Sequence, residues 1–435
     1  MICLDDAYRI WSYRKQGNRV AEVNNHDLEV WIDVSFIEKK PIKIGHLKHD
    51  RGNVRFNYNE AWLSHPKRFD IDPDLSLDNA IFHPNPAQGN FGVFLDSSPD
   101  RWGQTLMKRR EAMEAKDEGR ETRTLYAWDY LIGVQDQTRQ GALRFKYPRT
   151  DVFLASHDLS APPVTQLAEL ENVAQQLSDK NIDDLDNLRR WLRVLVAPGA
   201  SLGGARPKAN FTDKDGSLWI AKFPAKDDDR DIGAWEMLSY QLAIQANIQM
   251  PQAKLLKLGK HYRTFAVKRF DRIDDQRIHY ASAMTMLKKE SSDDASYLDI
   301  AEFIMTRGAK GAIKDDLAQL FRRVVFNAVI SNRDDHLRNH GFILMPTGWR
   351  LSPAFDINPN IDKAEHALNF DMGASRANLE SIIATAQYYE LTQDQAKQVA
   401  NEILGVTRTW EAVAKNLAIS RGDIELMRAA FHTSL

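Results

Sequence analysis

The sequence predicts an α+β protein that mixes strands with helices up to about residue 275 and turns mainly helical from about residue 280. Three observations carry this. Short apolar runs bounded by turn residues recur through the earlier part, as strands do. In the later part apolar residues recur at three- and four-residue spacing, as on helices. The 435 residues are also long for one core, so two or more domains are expected.

Composition narrows the class. Hydrophobic residues make up 43% and charged residues 27%, as in ordinary soluble globular proteins. A formal net charge of −2 leaves no overall basic excess for gripping nucleic acid. One cysteine, Cys3, rules out an internal disulfide and a four-thiolate zinc site and fits a reducing compartment. The opening "MICLDDAYRIW" has acidic residues where a signal peptide needs positive charge. No run approaches the roughly 18 apolar residues of a membrane span. A cytoplasmic protein with no membrane partner is expected.

The elements follow in order. "LEVWIDVSFI" at 28–37 reads as a strand, and 44–63 as two strands around a "DRGN" turn. "SPDRWGQTLMKRREAMEAK" at 98–116 reads as a helix with Ser98 as its N-cap. The Pro-containing stretch 156–166 reads as a linker, followed by a helix to about Val194. Residues 197–211 and 216–224 read as strand, Gly-rich turn and strand. A helix over 235–245 aligns Trp235, Leu238, Leu242 and Ala246, and 262–272 reads as a strand ending in charge. Leu317, Leu320, Phe321, Val324, Val325, Ala328 and Val329 mark a helix whose stripe must be buried. Residues 341–359 read as a hairpin with a "PTG" turn, then an acidic loop at Asp356.

The stripe delivers "NRDDHLRN" (332–339) from a rigid element. This stretch could be a solvated helix terminus. A zinc site would use His336 and His340, four residues apart, but a zinc protease needs Glu after the first His, and Leu337 stands there. The third reading is phosphoryl transfer. Arg333, Asp334 and Asn339 match the R-D-x-x-x-x-N part of a kinase catalytic loop, with Asn332 in place of its His. That chemistry needs an Asp to accept the hydroxyl proton, an Asn to reach a metal ion, and a second Asp after a hairpin to hold the metal. Asp356 stands where the second Asp belongs. Upstream, "SLGGARPK" (201–208) could offer backbone N–H groups to phosphates, although it is not a Walker A motif. Lys222 could meet the phosphates from a strand, Glu236 could pair with it, and "AVKRFDR" falls where an adenine-binding hinge belongs.

"SLGGARPK", "KFP", "VKRFDR", "DDHLRN" and "FDINP" occur in the order and spacing of the HipA family, serine/threonine kinases of bacterial toxin–antitoxin systems, which this chain resembles over about residues 25–420. "IGHLKHDRGNVRFNYNEAWL" and "FGVFLDSSPDRWGQTLMKRR" are similar to that family's N-terminal part. The resemblance implies a bilobal, protein-kinase-like fold with an N-terminal α/β subdomain (1–150), an ATP-binding part (151–275) and a mainly helical C-terminal lobe (276–435). It implies that Asp334 is the proton acceptor. The loop Gly203, Gly204, Ala205, Arg206, Pro207 and Lys208 would cover the phosphates, and Lys222 would contact them. Lys268, Arg269 and Phe270 would stand at the hinge. His336, Leu337, Arg338, Asn339, Phe355 and Asp356 would line the ATP and Mg2+ site, with Asn339 and Asp356 on the metal. Ser201 would be the autophosphorylated, self-inactivating serine, since phosphorylation adds roughly two negative charges beside the nucleotide.

Three positions depart from the family pattern. Lys268 replaces a common Glu, Pro207 precedes the loop lysine, and Asp335 sits where a small residue is common, able to compete as base or bind a second metal. The resemblance further implies a HipB-like helix-turn-helix antitoxin dimer as partner, operator DNA reached mainly through it, and a protein substrate such as an aminoacyl-tRNA synthetase, chiefly glutamyl-tRNA synthetase. The alternatives are a catalytically weak, kinase-fold corepressor and a small-molecule phosphotransferase.

Overall fold

A computed structural model of the chain describes residues 26–154, 161–178, 204, 206–260, 262–371, 373 and 375–432. Ser201, Gly203, Ala205 and the expected helix beyond residue 178 lie outside them.

The first antiparallel sheet has the order β3-β2-β1-β4, built from β1 (Asp27–Ile32), β2 (Ile42–Asp50), β3 (Asn53–Tyr58) and β4 (Leu143–Lys146). Leu28, Val30 and Ile32 alternate into its core. The strand expected over 28–37 stops at Ile32, because the Val34 carbonyl accepts the N–H groups of Ile37 and Glu38 and turns the chain. The "DRGN" turn is as expected: Arg51 (φ 48°) and Gly52 (φ 85°) form a two-residue left-handed connection, which matches the twist of the flanking strands.

The helix expected from Ser98 begins later. It spans Arg101–Glu118 and is capped by Asp100, whose carboxylate accepts the Gly103 N–H. The Ser98 hydroxyl instead donates to the Phe94 carbonyl of the preceding short helix. Trp102 and Leu106 on the capped helix pack not with the first sheet's core but with Phe211, Trp219, Phe223 and the helix Leu167–Ser178. This helix therefore staples the first sheet's subdomain to the second sheet.

That second sheet has the order β5-β6-β8-β7, with β5 (Lys208–Thr212), β6 (Leu218–Lys222), β7 (Ala253–Leu256) and β8 (Thr264–Lys268). Part of the expected linker is ordered against it, since Thr212 N–H donates to the Pro162 carbonyl and Pro163 bridges Thr212. The helix Ile232–Gln245 packs against β7 and β8 and buries Trp235, Leu238, Leu242 and Ala246 as predicted. The strand expected over 262–272 is the shorter β8. A small ribbon, β9 (Arg272–Ile273) with β10 (Gln276–Arg277), follows it.

The rest is mainly helical, around a three-stranded sheet of β11 (Tyr280–Ser282), β12 (Gly341–Met345) and β13 (Gly348–Leu351). The helix Ile313–Val329 runs through this core with all seven stripe residues at most 2% exposed. Asp316 in its first turn accepts from Arg350 and from the Leu351 N–H, and Arg323 donates to the Ser352 carbonyl at 2.6 Å. The hairpin and the segment leading to Asp356 are thereby fixed to the helix that precedes "NRDDHLRN".

Candidate active site

Lys222 sits at the end of β6 with its side chain 10% exposed. Its ammonium donates to Glu236 at 2.5 Å and to Asp356 at 2.6 Å. Glu236 comes from the second turn of the helix Ile232–Gln245, and Asp356 from the loop after β13. The three parts of the sequence pattern therefore meet at one cation. Burial works to lower the Lys222 ammonium, but Asp356 and Glu236 outweigh it and hold it well above the ordinary range. Burial also acts to raise Asp356, yet Lys222, Lys208 and His336 keep that carboxyl below its usual value. Asp356 takes a left-handed backbone (φ 57°), uncommon outside glycine and tolerated best by Asn and Asp.

Lys208 pairs with Lys222 directly across β5 and β6. Two facing ammonium groups would repel, and each is neutralised by its own carboxylate. Lys208 donates to Asp100 at 2.7 Å, while its carbonyl accepts the Trp102 indole N–H at 3.0 Å. Gly204 lies beside it with φ 102°, and a Cβ there would stand 3.2 Å from the Lys208 ammonium. Arg206 pairs with Asp228, and the Pro207 carbonyl accepts the Phe223 N–H. The described end of the Gly-rich loop is thus anchored at both edges.

A cleft lies beside β8, lined by Gln140, Ile220, Pro251, Val267, Lys268, Arg269, Phe270, Asp271 and Phe355. Its apolar side chains, Ile220, Val267, Phe270 and Phe355 among them, give it the wall chemistry of a site for a planar group. Phe270 and Phe355 lie with ring centroids 5.7 Å apart. The Arg269 guanidinium is committed elsewhere, to Asp271 at 2.5 and 2.8 Å and to the Thr138 carbonyl at 2.6 Å. Gln140 brings the N-terminal subdomain into the cleft wall, a contribution that nothing local in "RQGALRF" signals.

The "NRDDHLRN" loop leaves its helix through Ser331, which is left-handed (φ 51°) and fully buried. Asn327 on the helix is the hub: its carbonyl and side chain bind Asn332, and its amide donates to Asp335 at 2.7 Å. The same Asp335 oxygen accepts Tyr297 at 2.6 Å and His340 at 2.8 Å. Burial favours its neutral form, but His340 and these donors prevail and hold the carboxyl below its ordinary range. Asp335 is 2% exposed, and its Oδ2 alone takes three buried donors. It anchors the loop. Asp334 is its opposite, with its side chain 55% exposed and, among the described residues, paired only with Lys363. Leu337 is fully buried and its N–H donates to Ser292, whereas Arg338 is exposed.

His366 lies behind this loop, 8% exposed and edge-on to Phe370. Burial, with help from Arg333 and His432, pushes it down to about 4. A histidine held neutral stabilises the fold fully above its unfolded value of about 6.5, and that contribution is lost as pH falls toward 4. The wild type should therefore lose roughly 2 kcal/mol relative to His366→Gln between pH 7 and pH 5. Urea unfolding of both proteins at the two pH values measures this; parallel pH curves would exclude it.

The residues fit a hard cation. The Asn339 side-chain oxygen is buried without a hydrogen-bond partner, while its amide donates to the Asp334 carbonyl. That oxygen and the Asp356 carboxylate are donors of the kind magnesium takes, and these two residues would hold the ion. Among the described residues no group of three or more His, Cys, Asp or Glu is placed to hold a metal ion. His340 is engaged with Asp335 rather than facing a shared site with His336.

Sequence reasoning missed Asp100, Gln140 and Lys363. "SPDRWGQ" stood out as a motif, but nothing in it shows that Asp100 both caps a helix and pairs with a lysine 108 positions away.

A strand lysine joined to a helix glutamate and a post-hairpin aspartate, beside an R-D loop ending in Asn, defines a protein-kinase-like fold. The family model of the HipA N-terminal domain matches residues 36–126, and that of the HipA-like C-terminal domain matches residues 200–410. The chain belongs to the HipA family. Its fold is similar to that of HipA from the Shewanella oneidensis toxin–antitoxin system, solved with HipB and operator DNA, at a TM-score of 0.63 and 16% identity over 93% of this chain and 94% of that one. A putative kinase of Sinorhizobium fredii is 27% identical over 230 residues, 47% of this chain. The match spans about half, 54%, of that relative. Among the described residues no helix is long and apolar enough to cross a membrane.

Proposed function

We propose that this chain is an ATP- and magnesium-dependent serine/threonine protein kinase and the toxin of a toxin–antitoxin system. The observation that carries the reading is the meeting of Glu236 and Asp356 at Lys222, next to a loop that leaves Asp334 exposed. Glu236 holds the Lys222 ammonium toward the nucleotide phosphates. Phe270 and Phe355 enclose the adenine between the lobes. Asp334 takes the proton of the substrate hydroxyl as its oxygen bonds to the γ-phosphorus and the bond to ADP breaks. Magnesium, held by Asn339 and Asp356, would neutralise charge on the phosphates.

The division at about residues 150 and 275 belongs to this reading, as does Ser201 as the self-inactivating site. The partner is a HipB-like helix-turn-helix dimer, which supplies the basic charge for operator DNA that a net charge of −2 does not. The substrate is a protein of translation, an aminoacyl-tRNA synthetase, and phosphorylating it in the cytoplasm arrests growth.

The test is mass spectrometry of the protein after incubation with ATP and magnesium, wild type beside Asp334→Ala. Phosphate on Ser201 in the wild type, reduced by a factor of about 10^3 or more in the variant, is expected. No phosphate in either, with no nucleotide binding by calorimetry, would leave a kinase-fold binding module that acts with its antitoxin.

A further inference from the structure

The geometry points to Lys363 as the positioning residue for Asp334, an assignment that rests on the kinase reading above. An exposed lysine–aspartate pair is ordinarily incidental and contributes little to stability. This one is built. Asn360 forms a side-chain turn, its Oδ1 accepting the N–H groups of Asp362 at 2.9 Å and Lys363 at 3.0 Å. The turn is fixed to the R-D loop at two points. Asn360 N–H donates to the Ser331 carbonyl at 2.9 Å, and Arg333 donates to the Lys363 carbonyl at 2.6 Å. A third tie comes from the segment just before the helix that carries Glu236, where Arg230 donates to Asp362 at 3.2 Å. The turn that carries Lys363 is therefore tied at three points while its ammonium reaches Oδ1 of Asp334.

The consequence is orientational. Among the described residues Asp334 has no buried donor to fix its carboxylate, unlike Asp335, and its side chain is 55% exposed. A freely rotating base seldom points at the hydroxyl it must deprotonate. With one oxygen held by Lys363, the other is turned to the substrate. The loop that offers Asp334 has no lysine of its own among residues 332–340, and of its two arginines Arg333 donates to the Lys363 carbonyl.

The test compares wild type, Lys363→Met and Lys363→Arg in single-turnover phosphate incorporation into the chain itself at rising ATP. Lys363→Met should lower the limiting rate about tenfold to a hundredfold. Half-saturating ATP should stay within about twofold, since Lys363 does not hold nucleotide, and the thermal midpoint should be unchanged. Lys363→Arg, which keeps the cation, should recover most of the rate. A Lys363→Met protein as fast as wild type would overturn the assignment while leaving the kinase reading intact. So would a loss that Arg does not relieve, or one that follows a lowered thermal midpoint. A wild type that neither binds ATP nor transfers phosphate would overturn the kinase reading itself and this assignment with it.

Discussion

Lys222→Met is expected to lower stability by about 3–5 kcal/mol and to abolish phosphate transfer. The size follows from what the lysine leaves behind. Glu236 is 5% exposed and would face Asp356 across an emptied site, two carboxylates with no cation between them. Burial already pushes Glu236 upward, against the pull of Lys222, so removing that lysine drives it further toward the protonated form. The stability loss and the activity loss have different origins and can be separated. Adding Glu236→Gln to Lys222→Met removes one of the two stranded charges and should restore most of the stability, while transfer stays absent. Urea unfolding and the phosphate-incorporation assay on the single and double variants measure the two effects. A double variant that recovered activity would exclude Lys222 as the phosphate contact.

The adjacent aspartates of the R-D loop should respond in opposite ways. Asp335→Ala strands Tyr297, Asn327 and His340, three buried groups that now share one carboxylate oxygen, and should cost about 3–5 kcal/mol. Asp334→Ala, at a largely exposed side chain, should change stability by less than about 0.5 kcal/mol and remove transfer. The pH behaviour follows from the sign of the Asp335 shift. Its carboxyl is held below the ordinary range in the folded protein, so its stabilisation is complete above about pH 4, the unfolded value, and is lost as pH falls further. Asp335→Ala should flatten that part of the acid limb. Thermal unfolding of the two variants side by side decides the matter, and equal midpoints would refute the division of labour.

Much of this was legible in the chain. Period and turn chemistry placed the "DRGN" hairpin, the buried stripe of Ile313–Val329 and the hairpin before Asp356, because each depends on residues within a few positions of one another. The helix start at Asp100 was misplaced by two residues, since Ser98 and Asp100 are both good caps and only the preceding turn decides between them. Glu236 was named as a partner for Lys222 from spacing, but the role of Asp356 as the second partner of that lysine rests on a contact 134 positions long.

The sequence by itself determined the elements and the order of the reactive groups, since helix periodicity, turn residues and the R-D-x-x-x-x-N spacing are local properties. Only the tertiary structure decided which of two neighbouring aspartates is an anchor and which is offered to solvent. It also decided that Asp100 neutralises Lys208 and that a turn at Asn360 delivers Lys363. Those outcomes depend on burial and on charge compensation between distant segments. An Asp–Asp pair reads the same in a sequence whether its second carboxylate meets water or three buried donors.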